Sequence, residues 1–408
     1  MEILILLQRT RSEQSMKNFE YYAPTRVIFG KDTENQVGQL IKEQNGQTVL
    51  VHFGGGSVQR SGLLDRVYAS LEKAGLKHVS LGGVVPNPRL SKVREGIELC
   101  RKEKVDFLLA VGGGSVIDSA KAIGYGLAYD GDVWDFYCGK AQPQGCFPVG
   151  TILTIAAAGS EMSNSSVITN EEGWLKRGCT NDHSRCKFAI MNPELTATLP
   201  PYQTASGCAD ILMHSMERYF SPHATMELTD SISEALMRTV IRNARILVKD
   251  PANYNARAEI MWASSLSHND LTGHRSLGDW ACHQLEHELS GIFDVAHGAG
   301  LAAIWGSWAR YVQKNNPARF AQFAVNVLGI ANNFASPDNT ALAGIKAMEN
   351  FYTSIGMPTS LKELGLEVSD AQIGELAYKC SFEGKRTVGA FQVLTQEDMK
   401  NIFLLARG

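Results

Sequence analysis

The sequence predicts an α/β domain built on a parallel sheet, followed by an all-helical domain. Three observations predict it. Up to about residue 193, short apolar runs alternate with stretches of helical period. That alternation is the pattern of parallel strands covered by helices on both faces. Beyond Pro200-Pro201 the β-branched runs disappear and long helical patterns dominate. Two adjacent prolines also disfavour regular structure across that point. The expected division is 16–200 for the α/β domain and 201–408 for the helical domain.

The elements follow in order. TRVIFG (25–30) is a short β-branched run, and QTVLVHFG (47–54) is a near-continuous apolar run ending in glycine. SGLLDRVYASLEKAG (61–75) places Leu63, Val67 and Leu71 at helical spacing. HVSLGGVVPNP (78–88) reads as strand then turn, and LSKVREGIELCRKEK (90–104) as helix. DFLLAVGGGS (106–115) is a strand running into glycines, and VIDSAKAIGYGLA (116–128) is a helix. FPVGTILT (147–154), SSVIT (165–169) and KFAIMNP (187–193) add strands. TASGCADILMHSMERYF, TDSISEALMRTVIRNARILV and NARAEIMWASSLSHNDL are helical by period. Residues 1–15 (MEILILLQRTRSEQS) carry a short apolar run with no basic residue before it, unlike a signal peptide. They read as an extension, with MKNFEYYAPTRVIFG opening at Met16.

Composition bounds the partners. A net charge of −3 offers no electrostatic reason to bind nucleic acid or an anionic membrane. No apolar stretch reaches the roughly 20 residues that span a bilayer. The eight cysteines are scattered without a CxxC pair, which fits a reduced, cytoplasmic setting. Cys208 and Cys282 read as small core side chains behind Asp210 and His283.

AVGGGSVIDSAKA sets three glycines between a strand and a helix. Such a loop exposes backbone N–H groups at a helix N-terminus, where a phosphate is favoured. Ser115 adds a hydroxyl or caps the helix, and Asp118, at the third helical residue, suits a capping box. The loop is not a GxGxxG fingerprint, and many strand-to-helix turns carry glycines. HFGGGSVQRSG repeats the pattern after a second strand. It offers Ser57 and no Asp or Glu to bond a ribose 2′-hydroxyl, which leaves room for a 2′-phosphate. NADP(H) is therefore expected over NAD(H), unless selectivity is set elsewhere.

Asp210 and His214 lie four residues apart in GCADILMHSMERY, on one helical face. His283 and His297 lie fourteen apart in HQLEHELSGIFDVAHGAG. The helix carrying His283 can turn and return His297 to the same ion. Two segments, each offering a pair of hard or borderline ligands, suit Fe²⁺ or Zn²⁺. Each pair alone is common as a capping or core-buried pair. His287 falls on the face of His283, one turn later, as a proton relay or as a group that orients a ligand. His268 and His274 read as structural or cleft-lining.

With these motifs in hand, the chain resembles the iron-containing (group III) alcohol dehydrogenases from about Met16 to its C-terminus. PTRVIFGK, VVPNP, VGGGSVIDSAK, AGSEM, GCADILMHSMERY and HQLEHELSGIFDVAHGAG stand in family order, and the last is the most specific. The tandem GGGS loops look most like the NADP(H)-dependent butanol dehydrogenase and aldehyde reductase branch. The resemblance implies a dinucleotide-binding α/β domain and a helical domain with the active site in the cleft between them. It implies that Asp210, His214, His283 and His297 hold the divalent ion. It implies that Gly113, Gly114 and Ser115 cradle the pyrophosphate, and that Gly55, Gly56 and Ser57 meet the adenosine end. It places Asn87, Asp118, Thr154 and Lys176 against cofactor. From sequence alone Lys176 reads as a solvated lysine in a loop.

Two departures from the family pattern occur. The usual Thr-Gly-Ser-Glu is Ala158-Gly159-Ser160-Glu161, and the usual Asp-Pro is Asn192-Pro193, read as a local turn change. A homodimer is expected from the resemblance, with the 25–30 strand as a pairing element. Small alcohols or aldehydes are the expected substrates. The alternatives are an NAD(H)-dependent polyol dehydrogenase, a dehydroquinate-synthase-like lyase, or a non-enzymatic nucleotide- or metal-binding module. A lyase would need more basic residues in the cleft than Arg218, Arg257 and Arg275 supply.

Overall fold

The computed structural model describes residues 18–222, 226–273 and 277–408. The expected extension 1–15, His274 and Arg275 lie outside the described residues.

Six strands form one sheet: β1 (Arg26–Phe29), β2 (Thr48–Phe53), β3 (Lys77–Leu81), β4 (Phe107–Gly112), β5 (Val149–Leu153) and β8 (Phe188–Met191). Their order is β1-β8-β5-β4-β2-β3, and every pairing is parallel. Every residue of β4 and β5 is buried, as is all of β2 after Thr48. That is why the sequence shows them as continuous apolar runs rather than alternating ones. The edge strands β1 and β3 are only partly buried. The chain leaves β2 toward one edge and β4 toward the other, so the order reverses between them. In open α/β sheets ligands bind outside the carboxyl ends of the strands at such a reversal. Both GGGS loops emerge there.

Helices α1 (Val37–Glu43), α2 (Leu63–Lys73), α3 (Leu90–Glu103) and α4 (Gly114–Leu127) complete the α/β layer. β6 (Ser165–Asn170) and β7 (Leu175–Thr180) form a separate antiparallel hairpin. β6 packs on α4, and β7 packs on a helix of the C-terminal part.

From Pro201 onward the chain is helical: α5 (Pro201–Tyr219), α6 (Glu227–Lys249), α7 (Tyr254–Ser267), α8 (Ala281–Phe293) and α9 (His297–Val312). They are followed by α10 (Pro317–Leu328), α11 (Pro337–Ser354), α12 (Asp370–Cys380) and α13 (Gln396–Ala406). Pro201 sits at the first helical position of α5, where its missing N–H costs nothing. Ser369 and Thr395 each close a capping box. The aromatic centre of this part stacks Phe220 on Phe320 at 4.2 Å, beside buried Trp305, Trp308 and Phe323. α5, α8 and α9 meet at one place, which lies across the cleft from the glycine loops.

The fold class matches the sequence expectation, with three corrections. β7, LKRGCT, is a strand that the sequence does not announce, so Lys176 is on a strand and not in a loop. α4 begins at Gly114, two residues before the expected start. Asp118 is therefore the fifth helical residue, too far along for a capping box, and Gly113 occupies the cap position in place of Ser115.

Candidate active site

One cavity of about 1530 Å³ runs between the glycine loops and the C-terminal helices. Asp210, His214, His283, His287 and His297 line it, as do Gly55, Ser57, Asn87, Gly113, Gly114, Ser115, Asp118, Thr154 and Lys176. Of the expected metal-holding, proton-transferring and cofactor-binding residues, Gly56 alone is not on its wall; it caps the single turn Ser57–Arg60.

α5 carries Asp210 and His214 one turn apart, with His214 Nδ1 3.2 Å from Asp210 Oδ1. α8 supplies His283, whose Nε2 is 3.8 Å from the same oxygen. The first residue of α9 supplies His297, whose Nε2 is also 3.8 Å away. Asp210, His283 and His297 form a compact group, with donor atoms all within 4.8 Å of one another. His214 joins them through Asp210 and through ring contacts, 4.5 Å between centroids with His283. Asp210 Oδ1, His214 Nδ1 and His283 Nε2 are buried without a hydrogen-bond partner. Buried polar atoms are rarely left so. Three of them converging on one point fit a cation, and carboxylate plus imidazole is a donor set for Fe²⁺ or Zn²⁺.

Two carboxylates aim the imidazoles, and the sequence reading missed both. Glu217, on α5, accepts the Nδ1–H of His283. Glu286, on α8, accepts the Nδ1–H of His297. Each bond fixes the ring and turns its Nε2 toward Asp210. Lys176 reaches in from β7, its Nζ 3.3 Å from Glu286 Oε2 and 3.3 Å from His297 Nδ1. Glu286, His287 and His297 form a second compact group. Both Glu286 oxygens are already engaged, Oε2 by His297 and Lys176 and Oε1 by the Ser290 hydroxyl, so the first group is the better cation site.

The electrostatics agree. Burial opposes charge on His283, yet Glu217 and Asp210 outweigh it and raise its pKa to about 9. A field that favours a proton there equally favours a metal dication. Burial works to raise the Glu286 carboxyl, but His297 and Lys176 bring it down to about 2. Burial, reinforced by the neighbouring His268, holds His214 well below its ordinary value. His287 is depressed in the same way, by burial first and then by Lys176. Neutral imidazoles are what both ligation and proton exchange require. His287 makes no hydrogen bond within the protein among the described residues, and its ring centroid lies 5.8 Å from that of His297.

At the other end, the close approach of loop 154–158 explains the glycines. A Cβ on Gly113 would lie 2.9 Å from Ile155, and one on Gly114 would lie 2.9 Å from Ala158. Asp118 lines the cavity, but its carboxylate accepts from the Ser160 hydroxyl and from Val167 N at 3.0 Å. Beside it the wholly buried Lys121, also missed, donates to the carbonyls of Ser160, Ser163 and Ser165 at 2.6–2.9 Å. These two residues hold the Gly159–Ser165 wall onto α4. Asn87 donates to Asp294 Oδ1 at 2.9 Å and to Val295 O at 3.3 Å, tying the α/β loop to the turn before His297. His268 stacks near His214, at 4.0 Å between centroids, and bonds Ala158 O. Asn192 explains the second family departure: it caps the turn Pro193–Thr196 and donates to Glu34, which an aspartate cannot do.

Comparison with known proteins places the chain in a family. Residues 24–193 match the iron-containing alcohol dehydrogenase family, and residues 204–406 match its C-terminal region. The chain is 41% identical to a probable NADH-dependent butanol dehydrogenase of Bacillus subtilis, covering 95% of this chain and 99% of the relative. It is 33% identical to an NADPH-dependent aldehyde reductase of Escherichia coli, covering 96% and 100%. The crystal structure of an NADH-dependent butanol dehydrogenase from Thermotoga maritima superposes with a TM-score of 0.93 at 38% identity, covering 97% and 100%. The chain belongs to the iron-containing alcohol dehydrogenase family, whose chemistry is the oxidoreduction of alcohols and aldehydes.

Proposed function

We propose that this chain interconverts small primary alcohols and aldehydes of the butanol and butanal kind, using NADP(H) and one divalent ion, Fe²⁺ or Zn²⁺. The reaction is RCHO + NADPH + H⁺ giving RCH₂OH + NADP⁺. The observation that carries the reading is the convergence of partnerless Asp210, His214 and His283 atoms in the cavity that also receives both glycine loops.

Asp210, His214, His283 and His297 hold the ion. Gly113, Gly114 and Ser115, with the first-turn N–H groups of α4, take the pyrophosphate. Gly55, Gly56 and Ser57 meet the adenosine end, and Asn87, Asp118, Thr154 and Lys176 flank the cofactor path. When bound, the ion supplies Lewis acidity to the substrate oxygen and the nicotinamide supplies hydride. The protein orients both and excludes water from between them. His287, neutral and open to the cavity, exchanges the proton with the substrate oxygen. Residues up to Pro200 form the nucleotide domain and those after it the metal domain.

NADP(H) is supported by the acid-free 54–57 loop and by Arg60, whose guanidinium crowds Gly56 and lines the cavity. NAD(H) is the second reading, favoured by Asp32 and Glu34 on the same wall and by the NADH-dependent relatives. A homodimer joined through the open edge of β1 is supported by Phe29 and Trp262, which lie edge to face there and stay about 40% exposed. A cytoplasmic setting is supported by eight free cysteines. Among the described residues no helix is long and apolar enough to cross a membrane.

Butanal-dependent oxidation of NADPH and NADH, on one preparation with measured iron and zinc, tests the reading. Turnover that follows metal content and prefers NADPH is expected. A fully metallated protein inactive on aldehydes and alcohols alike contradicts it.

A further inference from the structure

Arg386 also lines the cavity. Its Nε donates to Cys380 O at 2.8 Å, and its guanidinium lies 3.5 Å from the centre of the Phe382 ring. Arg177 sits over the same ring at 4.7 Å.

The two cations differ in one respect. Arg177 directs its donors to Lys176 O, Glu288 Oε1 and Lys379 O. The nearby cations Lys379 and Lys385 pair with Glu375 and Glu383, at 3.5 Å and 2.7 Å. Arg386 has no described carboxylate within 4.0 Å, and its terminal nitrogens donate to no described residue. It is half-buried, so its charge has lost much of its water. The acidic group that acts on it, Glu288, is already paired with Arg177, so the terminal donors of this desolvated guanidinium are left for an anion.

Its position suits the substrate. Cys380 Sγ donates to Gln284 O at 3.4 Å, and Gln284 follows His283 directly. Cys380 thus links Arg386 to the helix of His283 and His287. Phe382, Glu383 and Gly384 have φ of 49°, 61° and 77°. Two consecutive residues with side chains in the left-handed region are costly, and such turns persist where something requires them. Here the turn presents the Phe382 ring to both guanidinium groups, and the closer contact holds that of Arg386.

We propose that Arg386 anchors the distal anionic group of the substrate, so that the preferred aldehydes are ω-oxo acids rather than plain alkanals. This rests on the alcohol dehydrogenase reading of the same cavity, and the reaction stays as balanced above, with the ω-hydroxy acid as product. An anion at Arg386 has two sources, a substrate carboxylate or a cofactor phosphate. The carboxylate is favoured because Arg386 is tied through Cys380 to Gln284, on the helix that carries His283 and His287.

The test compares 4-oxobutanoate with butanal, which share a four-carbon chain, in the wild type, R386M and R386K. The ratio of kcat/KM for 4-oxobutanoate over butanal is expected to fall about 10- to 100-fold in R386M, the worth of one charged hydrogen-bonded contact. R386K restores part of it, and the KM for cofactor moves less than this ratio. An unchanged ratio overturns the proposal. So does a rise in cofactor KM at constant ratio, which assigns the anion to a cofactor phosphate. Calorimetric titration of the metal-loaded protein with 4-hydroxybutanoate supplies a readout without turnover. Binding tighter than that of 1-butanol, and lost in R386M, is expected; equal binding by both proteins overturns the anchor. A preparation that reduces neither aldehyde refutes the dehydrogenase reading, and the titration still decides the role of Arg386.

Discussion

Glu217 grips His283 from two sides: one carboxylate oxygen accepts the imidazole Nδ1–H and the other accepts the backbone N–H of Cys282 at 2.6 Å. The carboxylate belongs to the helix of Asp210 and His214, while the imidazole belongs to the next wall of the cleft. One side chain therefore fixes both the rotamer of a proposed metal ligand and the docking of the helix that bears it.

Removing that grip weakens metal binding more than folding. E217Q keeps the volume and one acceptor but loses the charge facing His283. Its metal dissociation constant is expected to rise about 10- to 100-fold, the usual cost of losing an outer partner of a ligating histidine. Competition against a chromophoric chelator measures it.

Lys176 acts on His297, another of the proposed ligands. Glu286 has an ordinary value of 4.5 and a folded value of about 2, set by His297 and Lys176 against burial. A depressed carboxyl contributes stability that is present above pH 4.5 and is lost as pH falls toward 2. K176M withdraws one of the two cations. The midpoint of acid unfolding, followed by circular dichroism, is expected to move to higher pH, and metal affinity to fall roughly tenfold.

Lys176 also shows where the sequence was legible. β2, β4 and β5 stood out because they are buried on both faces and so are apolar throughout. β7 did not: LKRGCT carries two adjacent cations and reads as solvated, yet both are buried because Glu286 and Glu288 wait for them on α8. Charge pairing across a fold leaves no local signature. Glu217 and Glu286 had a signal that was not used, since each lies three residues after a histidine of the set, within the same turn. Asp118 departs from its expected place because Gly114 opens α4, and glycine there carries the signature of a loop rather than of a first helical turn.

Asp279 gives the opposite pH dependence. Burial first, and then the charge of Glu217, lift its carboxyl from 3.8 to about 7, against the backbone N–H groups of Phe391, Ala390 and Ala281. The folded value exceeds the unfolded one. Its contribution is therefore fully present below pH 4 and is lost as pH rises through about 7. D279N keeps an acceptor without the charge, so its thermal midpoint is expected to vary less with pH over that window. An unchanged slope, read by calorimetry from pH 4 to 8, would falsify this assignment.

His287 is held neutral by burial and by Lys176. H287Q is expected to lower kcat about 100-fold, the lower end for a lost proton-transfer group, and to reshape the pH–rate profile. Metal content and melting temperature serve as controls. A profile unchanged in shape would leave His287 with an orienting role alone.

The central claim is that one ion sits among Asp210, His214, His283 and His297. Anomalous X-ray scattering at the iron and zinc edges, on metallated crystals soaked with NADP⁺, tests it most directly. The account predicts a single peak about 2.0–2.2 Å from one oxygen of Asp210 and one nitrogen of each histidine. A peak elsewhere, or full metal loading with those four side chains left uncoordinated, would contradict it.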